Sequence, residues 1–307
     1  MKTKKEKIGG GCEIPKGMRK KAYLFCYLML IPCFWGLFSF FYVNAYSILI
    51  AFTDGTPFKD PFTFGNFKLL FYELSLTDSI LYVSLLNTFK YFALTLVKLF
   101  LSYIIAYFLY KKIPGHGAFS ILFFLPSIIA PVITVNIFKN IIGEFGPLWI
   151  LVRDWFNYEY SDFLANPDTA TNVILIYCFI SGFGSTFLIL LGTLNRLPQE
   201  YTEAAQIDGC RQWTEFWHII TPLCWDTLST YVVLSLTGIF MSTGPILYFT
   251  GGQYNTYTLA YWIFDRVKFG GDYSYASAVG IFFTVLSIPI VFGVRYLMSK
   301  ADPEVSY

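Results

Sequence analysis

The sequence predicts an all-α integral membrane protein with six transmembrane helices and both termini in the cytoplasm. Three observations predict it. Of 307 residues, 55% are hydrophobic and only 14% charged, against about 25% charged in soluble domains. Six apolar runs approach or exceed the roughly 20 residues that a helix needs to cross a bilayer. Lys and Arg are divided unequally between the two sets of connecting segments, which orients the chain.

The first run, 24–52, follows a Lys-rich leader. It is too long for a secretory signal, and no small-residue cleavage site follows it, so it reads as a retained helix. The second, 83–109, ends at Lys111-Lys112, and the third, 118–142, holds Pro126 and Pro131. The fourth is 173–194, the fifth 225–249 and the sixth 277–298. The runs are continuous rather than alternating, which excludes barrel strands, and a helix satisfies its own backbone in lipid. The chain divides into a basic segment, 1–22, a six-helix membrane domain, 23–299, with a polar loop at 196–224, and a tail, 300–307.

With six spans, both termini share a side. That side carries Lys2, Lys4, Lys5, Lys7, Lys16, Arg19, Lys20, Lys21, Lys111, Lys112, Arg196, Arg211, Arg295 and Lys300. The other carries only Lys59, Lys68, Arg153, Arg266 and Lys268. The polar loop therefore faces the cytoplasm. The six cysteines (12, 26, 33, 178, 210, 224) form no C-x-x-C pair and read as free thiols. No phosphate-binding G-x-x-x-x-G-K-[ST], G-x-S-x-G or H-E-x-x-H occurs, so the chain reads as neither an ATPase nor a hydrolase, and no metal site is expected.

The loop is helix-forming. Pro198 suits a first helical turn, Glu200 and Glu203 suit the N-terminal dipole, and Ala204 and Ala205 favour helix while admitting a close neighbour. Gly209 suits a left-handed stop, and Asp208 suits a cap. A second helix is expected over 212–220, with Trp213, Phe216, Trp217 and Ile220 on one face and Pro222 closing it. The result is a bent handle with one small, acidic face and one aromatic face; the same pattern fits an ordinary amphipathic loop.

Glu203-Ala204-Ala205, three residues, Gly209, nine residues, Ile219 and then Pro222 resembles the EAA loop of binding-protein-dependent ABC importer permeases. Thr221 stands where leucine is usual, and Cys210 where alanine is. Leu125-Pro126, Leu197-Pro198-Gln-Glu-Tyr-Thr, Thr250-Gly251-Gly252 with Thr258-Leu259, and Tyr275-Ala276-Ser277-Ala278 extend the resemblance, with Gln253 in place of a proline. Phe64-Gly65-Asn66-Phe67 followed by Leu70-Phe71 is similar to the first outer loop of maltose- and glycerol-phosphate-type first membrane subunits.

The resemblance implies a type I ABC importer permease fold in a bacterial plasma membrane. It implies a second homologous permease, two copies of an ABC ATPase and an extracellular solute-binding protein as partners, with no nucleic acid. This chain would bind no cofactor; ATP and Mg would be used by the ATPase. Glu203, Ala204, Ala205, Asp208 and Gly209 would contact that ATPase. The helices flanking the loop would line the path, which nominates Ser181, Gly182, Ser185, Ser235 and Gly238 for substrate, although small residues equally serve helix packing. Lys98, at the centre of the second span, points to a functional contact or to a carboxylate on the second subunit; Lys90 and Lys139 lie nearer span ends and can snorkel. The solute reads as a sugar, with glycerol phosphate or a polyol as alternatives. A channel or ion-driven carrier is the alternative class, disfavoured because the spans hold almost no Asp or Glu.

Overall fold

The computed structural model describes residues 16–55, 61–156 and 162–302. Lys2, Lys4, Lys5, Lys7, Cys12, Lys59 and the end of the tail lie outside the described residues, as do the side chains of Lys16, Arg19, Lys20, Lys21, Cys26, Arg153 and Ser185.

Among the described residues the architecture is entirely helical. In chain order the helices are α1 (Lys16–Ala51), α2 (Gly65–Ser75), α3 (Ile80–Tyr110), α4 (His116–Ile128), α5 (Pro131–Ile142), α6 (Pro147–Phe156), α7 (Ala170–Ser181) and α8 (Gly184–Leu194). Then come α9 (Gln199–Ile207), α10 (Gln212–Glu215), a π-helical turn (Phe216–Ile220), α11 (Thr221–Leu223) and α12 (Trp225–Thr237). The chain ends with α13 (Ile246–Phe249), α14 (Leu259–Asp265) and α15 (Tyr273–Lys300).

Among the described residues, four helical segments are long and apolar enough to cross a membrane: 27–51, 80–110, 170–194 and 273–300. Two bent pairs bring the number to six if each is one span, and the structure revises the course of the third and the fifth. The third is not one rod: α4 and the segment starting at Pro131 meet at 105°. Pro126 sits inside α4, and the break falls at Ile129-Ala130, because proline disfavours helical backbone in the residue before it. The fifth does not run to 249: α12 ends at Thr237, and its partner in a 75° bent pair is the helix 212–223.

Apolar side chains along α1, such as Phe34, Trp35, Phe38 and Phe41, are more than 60% exposed. Exposure of this extent is untenable in water and is what lipid requires. The α3 helix runs through the centre. Toward one end, Leu99, Tyr103, Ala106 and Tyr107 pack with Phe187, Leu190 and Leu194 of α8 and with Phe216 and Ile220. Nearer the other, Leu81 packs with Leu259, Trp262, Tyr275, Val279 and Phe283.

One side chain bonds the start of α2 to the end of α1. Asn66 Nδ2 donates to the carbonyls of Ala51 and Thr53, each at 3.1 Å, where the end of α1 leaves them without helical partners. The Asn66→Leu substitution is expected to strand both carbonyls and cost about 1–3 kcal/mol. A lower melting temperature of the purified protein checks this; an unchanged one contradicts it.

Candidate functional site

The polar loop folds as two short helices at a bend. Pro198 precedes the first turn instead of entering it, as the N-cap at φ −57° and ψ 132°, and α9 starts at Gln199. The helix ends in a Schellman motif: Cys210 N–H donates to Ala205 O at 2.9 Å, and Gly209 N–H donates to Gln206 O at 3.1 Å. Gly209 sits at φ +71°, which glycine adopts without strain. Asp208 is the C-cap residue, with its side chain exposed.

The spacing of three divides α9 into two faces. Thr202 and Ala205 turn inward, Ala205 only 4% exposed. Glu203, Ala204, Ile207, Asp208 and Gly209 face outward. Of the two alanines expected at a partner surface, only Ala204 is available; Ala205 is an internal packing residue. Ile207 is 85% exposed in an otherwise polar patch. Sequence reading did not single out Ile207, since nothing in the spacing shows which way it faces.

The second helix continues past the expected stop, with Pro222 in the first turn of α11. Phe216 and Ile220 are fully buried, whereas Trp213 and Trp217 are half-exposed. The two indoles pack along α3: Trp217 stacks on Phe100 at 6.0 Å, and Trp213 meets Phe108 edge-on at 5.8 Å. Phe216 lies 4.9 Å from both the Tyr103 and Tyr107 rings. Polar contacts complete the seat. Tyr107 Oη donates to Gln212 O at 3.0 Å, Thr221 Oγ1 donates to Phe216 O at 2.8 Å, and Tyr103 Oη donates to Thr221 Oγ1 at 3.3 Å. Lys111 Nζ pairs with Glu215 Oε1 at 2.5 Å, with only 2% of the Glu215 side chain exposed. Sequence reading did not single out Glu215, since its partner ends a helix far away in the chain.

The nominated path residues fall in different places. Ser181 lines an apolar crevice of about 250 Å³ at the bend between α4 and α5, beside Leu125, Pro126, Thr134 and Tyr177. Ser235 and Gly238, near the end of α12, do not line it. Each serine hydroxyl donates to a carbonyl one turn back, Ser181 to Tyr177 O and Ser235 to Tyr231 O, both at 2.8 Å. Gly182 marks the α7–α8 break, and Ser185 lies in α8. A Cβ on Gly182 would collide with Lys98 Nζ and lie 2.6 Å from Cys178 O. Lys98 is committed within the chain: its Nζ donates to Cys178 O at 3.3 Å, at the C-terminal turn of α7, where a cation also suits the helix dipole. Lys139 behaves alike, donating to Tyr248 O at 2.5 Å and Phe249 O at 2.8 Å.

At the end of α3 away from the loop lies a turn with four residues in left-handed conformation: Gly251, Gly252, Tyr254 and Asn255. A Cβ on Gly252 would collide with the Tyr257 ring. Tyr257 Oη donates to Asp265 Oδ2 at 3.1 Å. Burial, and then that carboxylate, push its hydroxyl up to about 12, so it remains a donor at neutral pH.

A polytopic helical chain whose polar insert is a bent helix pair with one free face is built as the membrane subunit of a transporter. It belongs to the family of binding-protein-dependent transport system inner membrane components, whose model matches residues 99–307. It is 26% identical over 299 residues to LplB of Bacillus subtilis, covering 91% of this chain and 89% of that protein. It is 23% identical over 273 residues to the multiple sugar-binding transport system permease protein MsmF of Streptococcus mutans, covering 87% and 92%. The crystal structure of a bacterial alginate ABC transporter, in complex with an alginate pentasaccharide-bound periplasmic protein, matches with a TM-score of 0.79 at 21% identity, over 92% of this chain and 96% of that one. The fold is that of an ABC importer membrane subunit, and the chain is a multi-pass transport subunit rather than an enzyme.

The Gly209→Val substitution forces a β-branched residue into the left-handed region at a cost of about 1–3 kcal/mol. Cleavage of the loop by trypsin after the exposed Arg211 is expected to accelerate roughly five- to 150-fold. An unchanged cleavage rate contradicts the bend's structural role.

Proposed function

We propose that this chain is one of two homologous membrane subunits of an ATP-driven sugar importer, with both termini and the 199–223 segment on the cytoplasmic side. Two copies of an ABC ATPase lie below, one of them gripping that segment, and an extracellular solute-binding protein delivers substrate from above. The chain itself binds no cofactor; ATP and Mg belong to the ATPase. The names of its relatives, among them MsmF and the alginate transporter, support a sugar, and the size of alginate supports an oligosaccharide.

One observation carries this reading. The loop is anchored through Phe216, Ile220 and Glu215 yet leaves the face Glu203, Ala204, Ile207, Asp208 and Gly209 uncovered. A small residue beside an exposed isoleucine, rimmed by two carboxylates, makes a shallow apolar contact with an acidic border. Such a surface suits a protein groove with basic edges. Ser181 and Ser235 keep free acceptor lone pairs, which supports contact with sugar hydroxyls.

The two alanines separate docking from folding. The Ala204→Trp substitution is expected to abolish ATP-dependent uptake and ATPase co-purification while the membrane level of the chain is kept. The Ala205→Leu substitution is expected to overpack the inner face, at about 1–3 kcal/mol, and to lower the membrane level instead. Single cysteines at 203, 204, 207 and 208 should cross-link to the ATPase. No product at any of the four positions overturns the proposal.

A further inference from the structure

The α3 helix makes polar contacts at both ends, with the loop at one and the left-handed turn at the other. It spans 31 residues, roughly 45 Å at 1.5 Å per residue. At the loop end it offers Lys111 to Glu215 and Tyr107 to Gln212 O. At the far end Asn87 Nδ2 donates to Asn255 O at 2.7 Å and to Tyr257 O at 3.0 Å. Beside it, Thr88 Oγ1 accepts from Leu259 N–H at 2.9 Å. Tyr254 and Asn255 both sit at φ +57° without being glycine; asparagine enters this region readily, but a tyrosine stays there only where its surroundings impose it. Asn87 is that constraint, helped by Thr171 Oγ1, which reaches Asn255 O at 3.4 Å.

We propose that the Lys111–Glu215 ion pair makes the loop and α3 a single lever, whose far end sets the conformation of the turn at 250–256. Glu215 and Lys111 are thus positioning residues for transport. The inference rests on the reading that an ATPase grips the loop. A purely apolar seat would let the loop slide over α3, because burial is non-directional. A buried carboxylate that leaves its one cation is uncompensated, so the loop carries α3 with it. Tilting α3 then moves Asn87 relative to the two carbonyls it holds, and the left-handed turn is free to relax. Movement beneath the membrane is read at the opposite end by a segment placed to meet what arrives there.

The test uses the whole transporter in proteoliposomes: both permeases, the ATPases and the solute-binding protein. In the wild type, a fluorophore on Gln253→Cys in the outer turn should change emission when ATP is added. In Glu215→Gln the ATPase should still co-purify. The emission change should vanish, and stimulation of ATP hydrolysis by loaded binding protein should fall about tenfold or more. The reversed pair, Lys111→Glu with Glu215→Lys, should restore both to within about twofold. Because Glu215→Gln can fail by misfolding, a second variant places cysteines at 111 and 215 in a Cys210→Ser background. Joined by a short reducible thiol cross-linker, it should couple like the wild type, and it should lose coupling on reduction. Full stimulation in Glu215→Gln, or a linked variant that stays uncoupled, overturns the lever. A wild-type permease that never retains the ATPase overturns the importer reading and the lever with it.

Discussion

Every backbone carbonyl within a membrane must find a donor inside the protein, and this chain interrupts its helices repeatedly. Side chains supply the missing donors near the interruptions. Lys98 serves the carbonyl at the end of α7, Lys139 those at the end of α13, and Asn66 those at the end of α1. Trp225 Nε1 serves Met298 at the end of α15, at 3.1 Å. Lysines that look like substrate ligands or snorkelling residues in a list of spans are occupied in holding the backbone. Their burial is tolerable because carbonyl oxygens and helix C-termini favour a cation.

The α3 helix gathers a large share of these duties. Asn87, Lys98, Tyr107 and Lys111 lie along one helix and reach the left-handed turn, the α7–α8 break and the bent loop. A helix with fixed contacts at three levels moves as one piece. Alternating access in transporters is largely rocking of rigid parts about a central site, and α3 is a rigid part with a handle seated on it. The handle is stiff for its own reasons. The Schellman motif fixes the bend, and the two indoles seat the second helix along about two turns of α3.

Much of this was legible in the residues. Apolar length located the spans, because lipid imposes it on each helix separately. The loop and its bend were legible because proline, alanine and glycine act over one or two turns. The breaks were not. Pro131 displaced helical backbone from Ala130, but only tertiary contact decides whether such a break opens to 105°. The gap after Ser181 depends on a lysine from α3 and on the room that Gly182 leaves for it. The separation of Ala204 from Ala205 needed the position of α9, and Glu215 needed Lys111. The nominated serines were chosen for their hydroxyls and their place in the helices flanking the loop, neither of which shows which way a side chain faces.

The central claim is that this chain moves solute only when a separate nucleotide-hydrolysing subunit works its loop. The direct measurement is uptake of labelled sugar into vesicles carrying both permeases and supplied with loaded binding protein, with the ATPase present or left out. Accumulation above the outside concentration should require both the ATPase and ATP, and should cease when either is withheld. Accumulation against the gradient by permeases alone would contradict the account.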